Sequence, residues 1–479
     1  MMASDICQAG PRDRGLGSSG ILSIKRMSKG RTSSAREPSA RGYSNRWSEA
    51  SPTSGEPPPG ERSSERIVVV GAGAAGLATA IFTRRLNAAR SVVLLDGAKK
   101  PGAKILISGG SRCNVTNVVV ADGDFWGGRR SSVRRVLRAF SVRDTIAFFD
   151  DVGVRLHEEP GGKLFPDTNR SRDVLDALLR DVRARGVELL ADHRVLDVVP
   201  DGRRFRVVTP HRDFEADAVV LATGGRSLPK TGSDGAGFAI AQRLGHSVTP
   251  TTPGLAPLLL GGDDDADGIH RELSGVAQQV ELTLWVDNSA ASRIEGALLW
   301  THFGISGPAA LDMSRHWLRA DLEGRKARLT VSFCAGSTFD ELDQRWTTMA
   351  TERPKASVQS ALATMVPASV AAAVLKRLPI AASVPLAHFA RDDRRRLVQA
   401  LIAWPLSVTG SRGYNYAEVT AGGVPLAEID PGTMESRVCP GLYLVGEMLD
   451  VDGRIGGFNF QWAWSSAHVA AAALARRWT

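Results

Sequence analysis

A glycine-rich turn between an apolar strand and a helix constrains this chain more than any other feature, and it lies within residues 66–80. Four apolar residues, Ile67 to Val70, lead directly into the pattern Gly71-x-Gly73-x-x-Gly76. Such glycines allow a sharp turn, a close approach of the backbone to a pyrophosphate, and tight packing of helix on strand. The N-terminus of the following helix offers unpaired N–H groups to phosphates. The pattern therefore predicts a parallel α/β fold that binds a dinucleotide.

An acidic residue strengthens this prediction. A second apolar strand, Ser91 to Leu95, ends in Asp96, 20 residues after Gly76. A carboxylate at this distance can accept hydrogen bonds from ribose hydroxyls. Glycine alone is weak evidence, since the chain has 49 glycines among 479 residues. The strand, the helix and the acid together make an incidental strand–turn–helix a poor explanation, and we expect an adenine dinucleotide.

The length and the cysteine content limit the class of protein. A chain of 479 residues is too long for one simple core, so two or three domains are expected. No apolar run is long enough to span a bilayer, which predicts that the chain does not enter a membrane. The four cysteines are scattered and have no metal-ligand spacing. We therefore expect a cytoplasmic protein without a metal site.

The positive charge does not by itself indicate nucleic-acid binding. The net charge is +9, of which residues 1–64 contribute +4 and the remainder is spread over the rest of the chain. Evenly spread arginine is typical of a solvated surface, whereas a nucleic-acid site concentrates charge on one face. We therefore expect a small-molecule substrate and no nucleic-acid partner. Residues 1–64 are rich in Ser, Gly, Arg and Pro and are predicted to be a disordered tail.

The remaining sequence suggests a domain that is interrupted. Segment 104–117, dense in Gly, Ser and Asn, is predicted to be a loop. Composition shifts near Pro250, and the chain returns at 442–445 to an apolar strand followed by a glycine loop and a helix. The predicted organisation is a nucleotide domain from 65–249 and 409–479, a β-rich insert from 250–336 and 380–408, and a helical insert from 337–379.

Three later segments favour FAD over NAD. A flavin dinucleotide needs contacts to its ribityl chain and ring in addition to the first glycine turn. The chain offers Thr223-Gly224-Gly225 after an apolar strand, then Gly446-Glu447, then Gly456 to Asn459 at a helix start. A helix N-terminus aimed at the flavin stabilises negative charge on the reduced ring. The order and the number of these segments point to FAD.

Five long motifs resemble one known family. They are KILISGGSRCNVTN, ATGGRSLPKTGSDGAGFAIAQRLGH, THFGISGPAAL, AEVTAGGVPLAEIDPGTMESRVCPGLYLVGEMLDVDG and RIGGFNFQWAWSSAHVA. Over residues 66–479 the chain is similar to the BaiN-like FAD-dependent oxidoreductases, also called the aminoacetone oxidase family. The resemblance implies a glutathione-reductase-like split FAD-binding Rossmann domain, interrupted by a β-barrel-like insert and a small helical insert. It also implies reduction of unsaturated or carbonyl compounds, with bile-acid-type enones as known substrates.

The resemblance assigns cofactor contacts residue by residue. The implied FAD-binding residues are Gly71, Ala72, Gly73, Ala75, Gly76, Asp96, Lys104, Ser108, Gly109, Arg112, Cys113, Asn114, Thr223, Gly224, Gly446, Glu447, Gly457, Phe458 and Asn459. Of these, Asp96 would bind the adenosine ribose and Glu447 the ribityl chain. The family usually has Glu in place of Asp96 and Gly in place of Ser111, so the loop around Ser111 is expected to sit differently near the flavin.

Candidates for catalysis are few, because the flavin carries the hydride chemistry. His302 could donate a proton, since histidine titrates near neutral pH, or it could be a structural residue. Cys113 could be a redox thiol or a packed one. Tyr414 and Tyr416 could donate to a substrate carbonyl or simply pack.

We expect an FAD-dependent oxidoreductase that transfers hydride between flavin N5 and a small organic substrate, by enone or carbonyl reduction or by amine oxidation. NAD(P)H is a possible transient electron donor, although no second dinucleotide motif is visible. Two alternatives stay open, a non-enzymatic flavin-binding sensor or assembly factor and an NAD-dependent dehydrogenase without flavin. The sequence does not indicate the oligomeric state.

Overall fold

The computed structural model describes residues 65–261 and 268–478. The predicted disordered tail, 1–64, lies outside the described residues, as do residues 262–267. The helices of the described part are α1 Ala74–Leu86, α2 Ala103–Ser111, α3 Arg130–Ala139, α4 Val142–Asp151, α5 Ser171–Ala184, α6 Ala236–Arg243, α7 Ile269–Glu272, α8 Pro308–Leu322, α9 Phe339–Glu352, α10 Val358–Leu362, α11 Ala368–Arg377, α12 Arg391–Ile402 and α13 Phe458–Arg476.

The strands are short, apart from one long hairpin. They are β1 Arg66–Val70, β2 Ser91–Leu95, β3 Thr116–Asn117, β4 Phe125–Gly127, β5 Leu156–Glu159, β6 Lys163–Pro166, β7 Glu188–Leu190, β8 Asp197–Asp201, β9 Arg204–Val208, β10 Phe214–Ala216, β11 Ala218–Leu221, β12 Thr249–Gly254, β13 Leu258–Leu260, β14 Ala277–Val286, β15 Ser289–Thr301, β16 Gly304–Ser306, β17 Ala327–Ser332, β18 Trp404–Leu406, β19 Val408–Ser411, β20 Val419–Gly423, β21 Leu442–Leu444 and β22 Val451–Gly453.

A five-stranded parallel sheet joins the two ends of the described chain. Its order is β21-β11-β1-β2-β7, and each neighbouring pair runs parallel. The strand β21 comes from near the C-terminus and pairs with β11 through Val219–Leu442 and Leu221–Leu444. The central strands are almost wholly apolar because both faces of the sheet are covered. The sheet is complete only when both ends of the chain contribute to it.

Two glycines let α1 pack tightly behind this sheet. Gly71 has a φ of +101° at the end of β1, a conformation that favours glycine. A Cβ placed on Gly76, in the first turn of α1, would lie 1.8 Å from the Gly71 carbonyl oxygen. The same helix packs along its length against α13. The first hydrophobic core, from residues 67–244 and 424–474, is built around this helix pair and the parallel sheet.

A second hydrophobic core forms around a curved antiparallel sheet, from residues 258–406. The sheet order is β18-β17-β14-β15-β16-β13-β19. Its two outer strands, β18 and β19, are successive pieces of one extended segment separated only by Ser407. One piece pairs with β17 and the other with β13, so the sheet curls back on itself in the manner of a barrel. The helices α9 to α12 pack beside it.

A buried ion pair connects the two parts of the fold. Arg315 on α8 donates two hydrogen bonds to Asp452 on β22, at 2.6 and 2.9 Å. Both side chains are nearly inaccessible to solvent, and the Arg315 guanidinium also lies over the Trp126 ring. Breaking one partner of such a pair leaves an uncompensated buried charge. The pair therefore fixes α8 against the β22 strand.

The structure differs from the sequence predictions in two places. Segment 104–117 is not a loop throughout, because α2 occupies its first half before Ser108, Gly109 and Gly110 leave helical geometry. Segment 380–408, expected to be β-rich, contains the 12-residue helix α12 and the three-residue strand β18. Among the described residues, no helix combines the length and the apolar character needed to cross a bilayer.

Gly76→Ala tests the close packing of α1 on β1. The added Cβ meets a backbone carbonyl, which cannot move aside as a flexible side chain can. We expect the free energy of unfolding to fall by about 3 kcal/mol, measured by chemical denaturation followed by circular dichroism. Gly123→Ala is the control, because a Cβ there meets no atom within 4 Å. Equal stability of the two variants would contradict this account of the packing.

Candidate functional site

A cavity of about 960 Å³ opens at the carboxyl ends of the parallel strands. The last residues of β1 and β2, together with residues that follow β11 and β21, line it. Ligands of open parallel sheets bind at this edge. The volume lies at the upper end of the range for small-molecule and cofactor sites. The cavity is therefore large enough for an extended ligand with more than one recognised group.

The glycine turn forms one wall of the cavity. The Gly71 N–H donates to the carbonyl oxygen of Leu95 at 2.7 Å, which holds the turn against the end of β2. Gly73 caps the N-terminus of α1, and a Cβ placed on it would meet no atom within 4 Å. Its position therefore leaves open space for a group to approach the backbone and the helix N-terminus, as a pyrophosphate requires.

Asp96 connects the glycine turn to the segment that follows β2. One carboxylate oxygen accepts from the Ala72 N–H at 2.7 Å, and the other accepts from the Ala98 N–H at 2.7 Å. Burial raises the pKa of the Asp96 carboxyl, and these two backbone hydrogen bonds oppose that rise. A carboxylate has about four acceptor positions, so two remain for ribose hydroxyls. Asp96 thus also positions the glycine turn, which the sequence analysis did not predict.

Glu447 is the centre of a hydrogen-bond network in the middle of the cavity. It accepts from the Lys104 ammonium at 2.6 Å, from the Ser227 hydroxyl at 2.7 Å and from the Thr420 N–H at 2.9 Å. Lys104 also donates to Ser227 at 2.6 Å. These groups belong to α2, to the segment after β11, to β20 and to the segment after β21. Glu447 therefore fixes four separate segments around the same point.

Two buried polar atoms at the cavity have no protein partner. The Asn114 side-chain oxygen and the Thr223 hydroxyl are buried and make no hydrogen bond to any described residue, and both residues line the cavity. A buried polar atom without a partner costs free energy. A polar ligand in the cavity would relieve this cost. The open space at Gly73 and these two atoms fit a dinucleotide such as FAD.

The N-terminus of α13 faces the same cavity. Gly456 and Gly457 both line it and have φ values of +120° and +94°. A Cβ on Gly457 would lie 2.5 Å from the Thr116 backbone, so only glycine permits this approach. Asn459 holds the preceding turn by donating to the Gly453 carbonyl and accepting from its N–H, both at 2.8 Å. The helix N-terminus is thereby fixed where it can stabilise negative charge.

The structure brings most of the predicted cofactor residues to this cavity. The predicted residues that line it are Gly71, Gly73, Ala75, Asp96, Lys104, Ser108, Gly109, Arg112, Asn114, Thr223, Gly224, Glu447, Gly457 and Asn459. Ala72, Gly76, Gly446 and Phe458 are buried behind the wall instead. Ala72 still contributes its N–H to Asp96, whereas Gly76 acts in helix packing. Among the described residues, no group of His, Cys, Asp or Glu is arranged to hold a metal ion.

The non-helical end of α2 has a backbone conformation typical of glycine, although its last residue is a serine. Gly109, Gly110 and Ser111 all have positive φ values, and that of Ser111 is 66°. Left-handed backbone is strained for a residue with a Cβ. Ser111 thus adopts the same left-handed region of φ as Gly109 and Gly110 before it. The expectation that this segment sits differently near the flavin stays a prediction.

The two predicted catalytic residues do not line the cavity. Cys113 is fully buried, and burial raises the pKa of its thiol to about 12, against a hydrogen bond with Ser108 that lowers it. A thiol with this pKa is not a nucleophile at neutral pH. His302 is exposed, and its ring packs edge-on against Phe303. These positions give no support to the redox role of Cys113 or to proton donation by His302, and both roles stay predictions.

The sequence analysis missed several groups at the α13 end of the cavity. Lys163 and Glu418 line it together with Arg454 and with Tyr416, for which donation to a substrate and packing were both open. Arg412 lies over the Tyr416 ring at 3.5 Å. Lys163 is a single polar residue in a short strand, and Glu418 lies in the motif that begins AEVTAGG, where nothing in the local pattern gives it a role. Only the three-dimensional arrangement reveals them.

Comparison with known proteins gives consistent relatives. The HI0933-like protein Rossmann domain family matches residues 65–473. The 3-dehydro-bile acid delta(4,6)-reductase of Clostridium scindens is 30% identical over 412 residues, which cover 86% of this chain and 99% of the relative. The ribosomal RNA dihydrouridine synthase of Escherichia coli is 34% identical over 411 residues, which cover 84% and 96%. That of Haemophilus influenzae is 31% identical and covers 86% and 98%. The chain therefore belongs to the HI0933-like Rossmann family and is an FAD-dependent oxidoreductase.

Proposed function

We propose that this protein reduces a carbon–carbon double bond conjugated to a carbonyl group, with FAD as the hydride carrier. The observation that carries the proposal is the single cavity that extends from Asp96 past Glu447 to Lys163 and Glu418. The residues near Asp96 suit a dinucleotide. At the α13 end, Lys163 and Glu418 belong to none of the segments assigned to FAD, so a substrate could contact them.

Bound FAD would supply two electrons and a hydrogen as hydride at its ring nitrogen N5. Residues of this chain would do the rest. The glycine turn and the α1 N-terminus would hold the pyrophosphate, and Asp96 would hold the adenosine ribose. Asn114 and Thr223 would give their unpartnered oxygens to the cofactor, and Gly457 would let the α13 N-terminus approach the ring closely enough to stabilise its negative charge.

The names of the relatives support this class of bond. One relative is named for reduction of a 3-dehydro-bile acid at positions 4 and 6, and two are named for forming dihydrouridine. In the 4,5 bond of a 3-oxo steroid and in uracil alike, the double bond lies α,β to a carbonyl, and hydride adds to the β carbon. In a 3-oxo-4,6-diene the 6,7 bond belongs to the same conjugated system, and hydride adds there to the δ carbon. Amine oxidation has no comparable support among these relatives.

Two candidate substrates contain such a double bond, a steroid-like enone and uracil within RNA. A steroid-like enone agrees with the expected small-molecule substrate. Uracil within RNA agrees with the names of two relatives and would overturn the expectation that no nucleic acid is bound. Both substrates present the same conjugated bond, so the tests must include both. The nicotinamide electron donor is likewise a proposal, because the chain contains only one clear dinucleotide motif.

Anaerobic spectroscopy of the purified holoprotein tests the proposed function. We expect NADH or NADPH to bleach the flavin absorbance at about 450 nm, the usual band of oxidised flavin. Addition of a steroid dienone or of uridine-containing RNA should then restore it, with the saturated product detected by mass spectrometry. If only one of the two substrates restores the flavin absorbance, that substrate is the one on which the protein acts. Reduced flavin that neither substrate reoxidises would contradict the proposal and favour a sensor or assembly role.

Gly73→Ala tests the assignment of the cofactor site. Its added Cβ would project into open cavity space, so the fold should keep its stability while the pyrophosphate loses its close approach. We expect FAD affinity to fall at least about tenfold, equivalent to about 1.4 kcal/mol, measured by titration of the apoprotein. Gly123→Ala is the control for an added methyl group outside the cavity. Unchanged affinity in Gly73→Ala would mean that the pyrophosphate binds elsewhere.

A further inference from the structure

The geometry points to Glu418 as the residue that donates the second hydrogen, as a proton, to the substrate double bond. This inference rests on the proposed function and names a catalytic residue for it. Glu418 lies between Tyr416 and strand β20, where it lines the α13 end of the cavity. Neither motif spacing nor the predicted catalytic residues single it out.

Glu418 differs from the other carboxylates that line the cavity. Asp96 accepts two backbone hydrogen bonds, Asp234 binds Arg194, and Glu447 accepts three hydrogen bonds. The Glu418 side chain accepts none from any residue that the structure describes, and it faces the open cavity. The Glu418 carboxyl group is therefore available to a ligand, whereas the other three carboxylates hold neighbouring segments of the protein in place.

The backbone of Glu418 is held firmly even though its carboxyl group is not engaged. Its N–H donates to the Leu255 carbonyl, and its carbonyl accepts from the Ser227 hydroxyl, both at 3.3 Å. Two residues later, the Thr420 N–H donates to Glu447. Glu418 is thus fixed to the same network that surrounds the centre of the cavity. A fixed backbone with a free carboxyl group suits a proton donor, which must be placed accurately.

The surroundings of Glu418 shift the pKa of its carboxyl group upward. Although solvent in the cavity reaches the side chain, burial within the surrounding protein raises the pKa of Glu418, and Lys163 and Lys104 lower it in opposition. Asp312 on α8 belongs to the same group of charges. Burial raises its pKa to about 6, opposed by its hydrogen bond from the Ile455 N–H and by Arg454, while the charge of Glu418 adds to the rise.

Two of these charged groups, Asp312 and Lys163, lie beside the residues that precede α13. Ile455 donates its N–H to Asp312 at 2.7 Å. In the next residue, Gly456, an added Cβ would lie 3.8 Å from Cε of Lys163. Lys163, one of the two lysines that act on Glu418, therefore lies beside the helix N-terminus that is proposed to face the flavin ring. A substrate next to that ring would lie within the same end of the cavity.

The proposed step balances as follows. When FAD is bound and reduced, it would supply a hydride that adds to the β carbon of the substrate, and the π electrons of the double bond would give an enolate. The α carbon would then take the proton of Glu418, so that the carboxyl O–H bond breaks and a second C–H bond forms. The substrate would gain two electrons and two hydrogens, and Glu418 would be left as a carboxylate that Lys163 and Lys104 stabilise. A proton from bulk solvent would then replace the one that Glu418 has given up.

Glu418→Gln tests this role, because glutamine keeps the size of the side chain and cannot donate an acidic proton. We expect full FAD content and flavin reduction by NAD(P)H within about twofold of wild type. Reoxidation by the active substrate should be slower by about 10²–10⁴-fold, the usual contribution of a general acid. Glu418→Asp should recover part of the rate. Glu352→Gln, at an exposed glutamate on α9, should match wild type.

An infrared difference spectrum provides a readout that does not depend on turnover. As the pH is lowered, wild type minus Glu418→Gln should gain the carbonyl stretch of a protonated carboxylic acid at a higher pH than glutamate in a peptide does, because burial raises the pKa of Glu418. The wild-type reoxidation rate should also fall as the pH rises through the raised pKa of Glu418, since only the acid form can donate, and this fall should be absent in Glu418→Gln. Lys163, Lys104 and Asp312 are the charged groups that interact with Glu418.

The outcomes separate this inference from the proposed function. If wild type is not reoxidised by the dienone or the RNA, the proposed function fails and the role of Glu418 fails with it. If wild type is reoxidised and Glu418→Gln reacts equally fast, only the role of Glu418 is overturned. A large loss in Tyr416→Phe with none in Glu418→Gln would overturn it in favour of the tyrosine hydroxyl. A carboxylic acid band that appears only at the pH expected of glutamate in a peptide would also overturn it.

Discussion

The parallel pairing of β11 with β21 is the interaction on which the rest of this structure depends. It adds a strand from the C-terminal part to a sheet that otherwise comes from the first part of the chain. The residues after these strands include Thr223 and Glu447, so the pairing also assembles the cavity. Parallel strands require long connections, and here the connection contains a second hydrophobic core. The site and the fold are therefore stabilised by the same long-range contact.

The hydrogen-bond network of Glu447 shows how such a site can stay ordered. Four segments meet at one carboxylate, and each also belongs to a packed element. On the opposite side, Arg315 and Asp452 connect α8 to β22. The group of charges beside α13 draws on both parts, since Asp312 lies on α8 and Lys163 on β6. Chemistry at this end of the cavity thus depends on how the two cores are connected.

Sequence patterns predicted the features that depend on neighbouring residues. The glycine turn, Asp96 and the returning strand before Glu447 each have a local signature, and the resemblance to a known family supplied most of the residues that line the cavity. Helix α2 was missed because Gly109 and Gly110 make the segment resemble a loop, although its first half is helical. Glu418 was missed because its significance comes from residues distant in the sequence. His302 was selected because histidine as a residue type can transfer protons near neutral pH, and residue type contains no information about position.

The dependence of the sheet on its last strand has a consequence for protein synthesis. Until β21 and α13 leave the ribosome, α1 has no partner along the surface that α13 covers, and Glu447 is missing from the cavity. A prematurely terminated chain would expose this apolar surface and could not retain the cofactor. Cellular proteases and chaperones recognise exposed apolar surface. Cofactor binding therefore requires segments from both ends of the described chain.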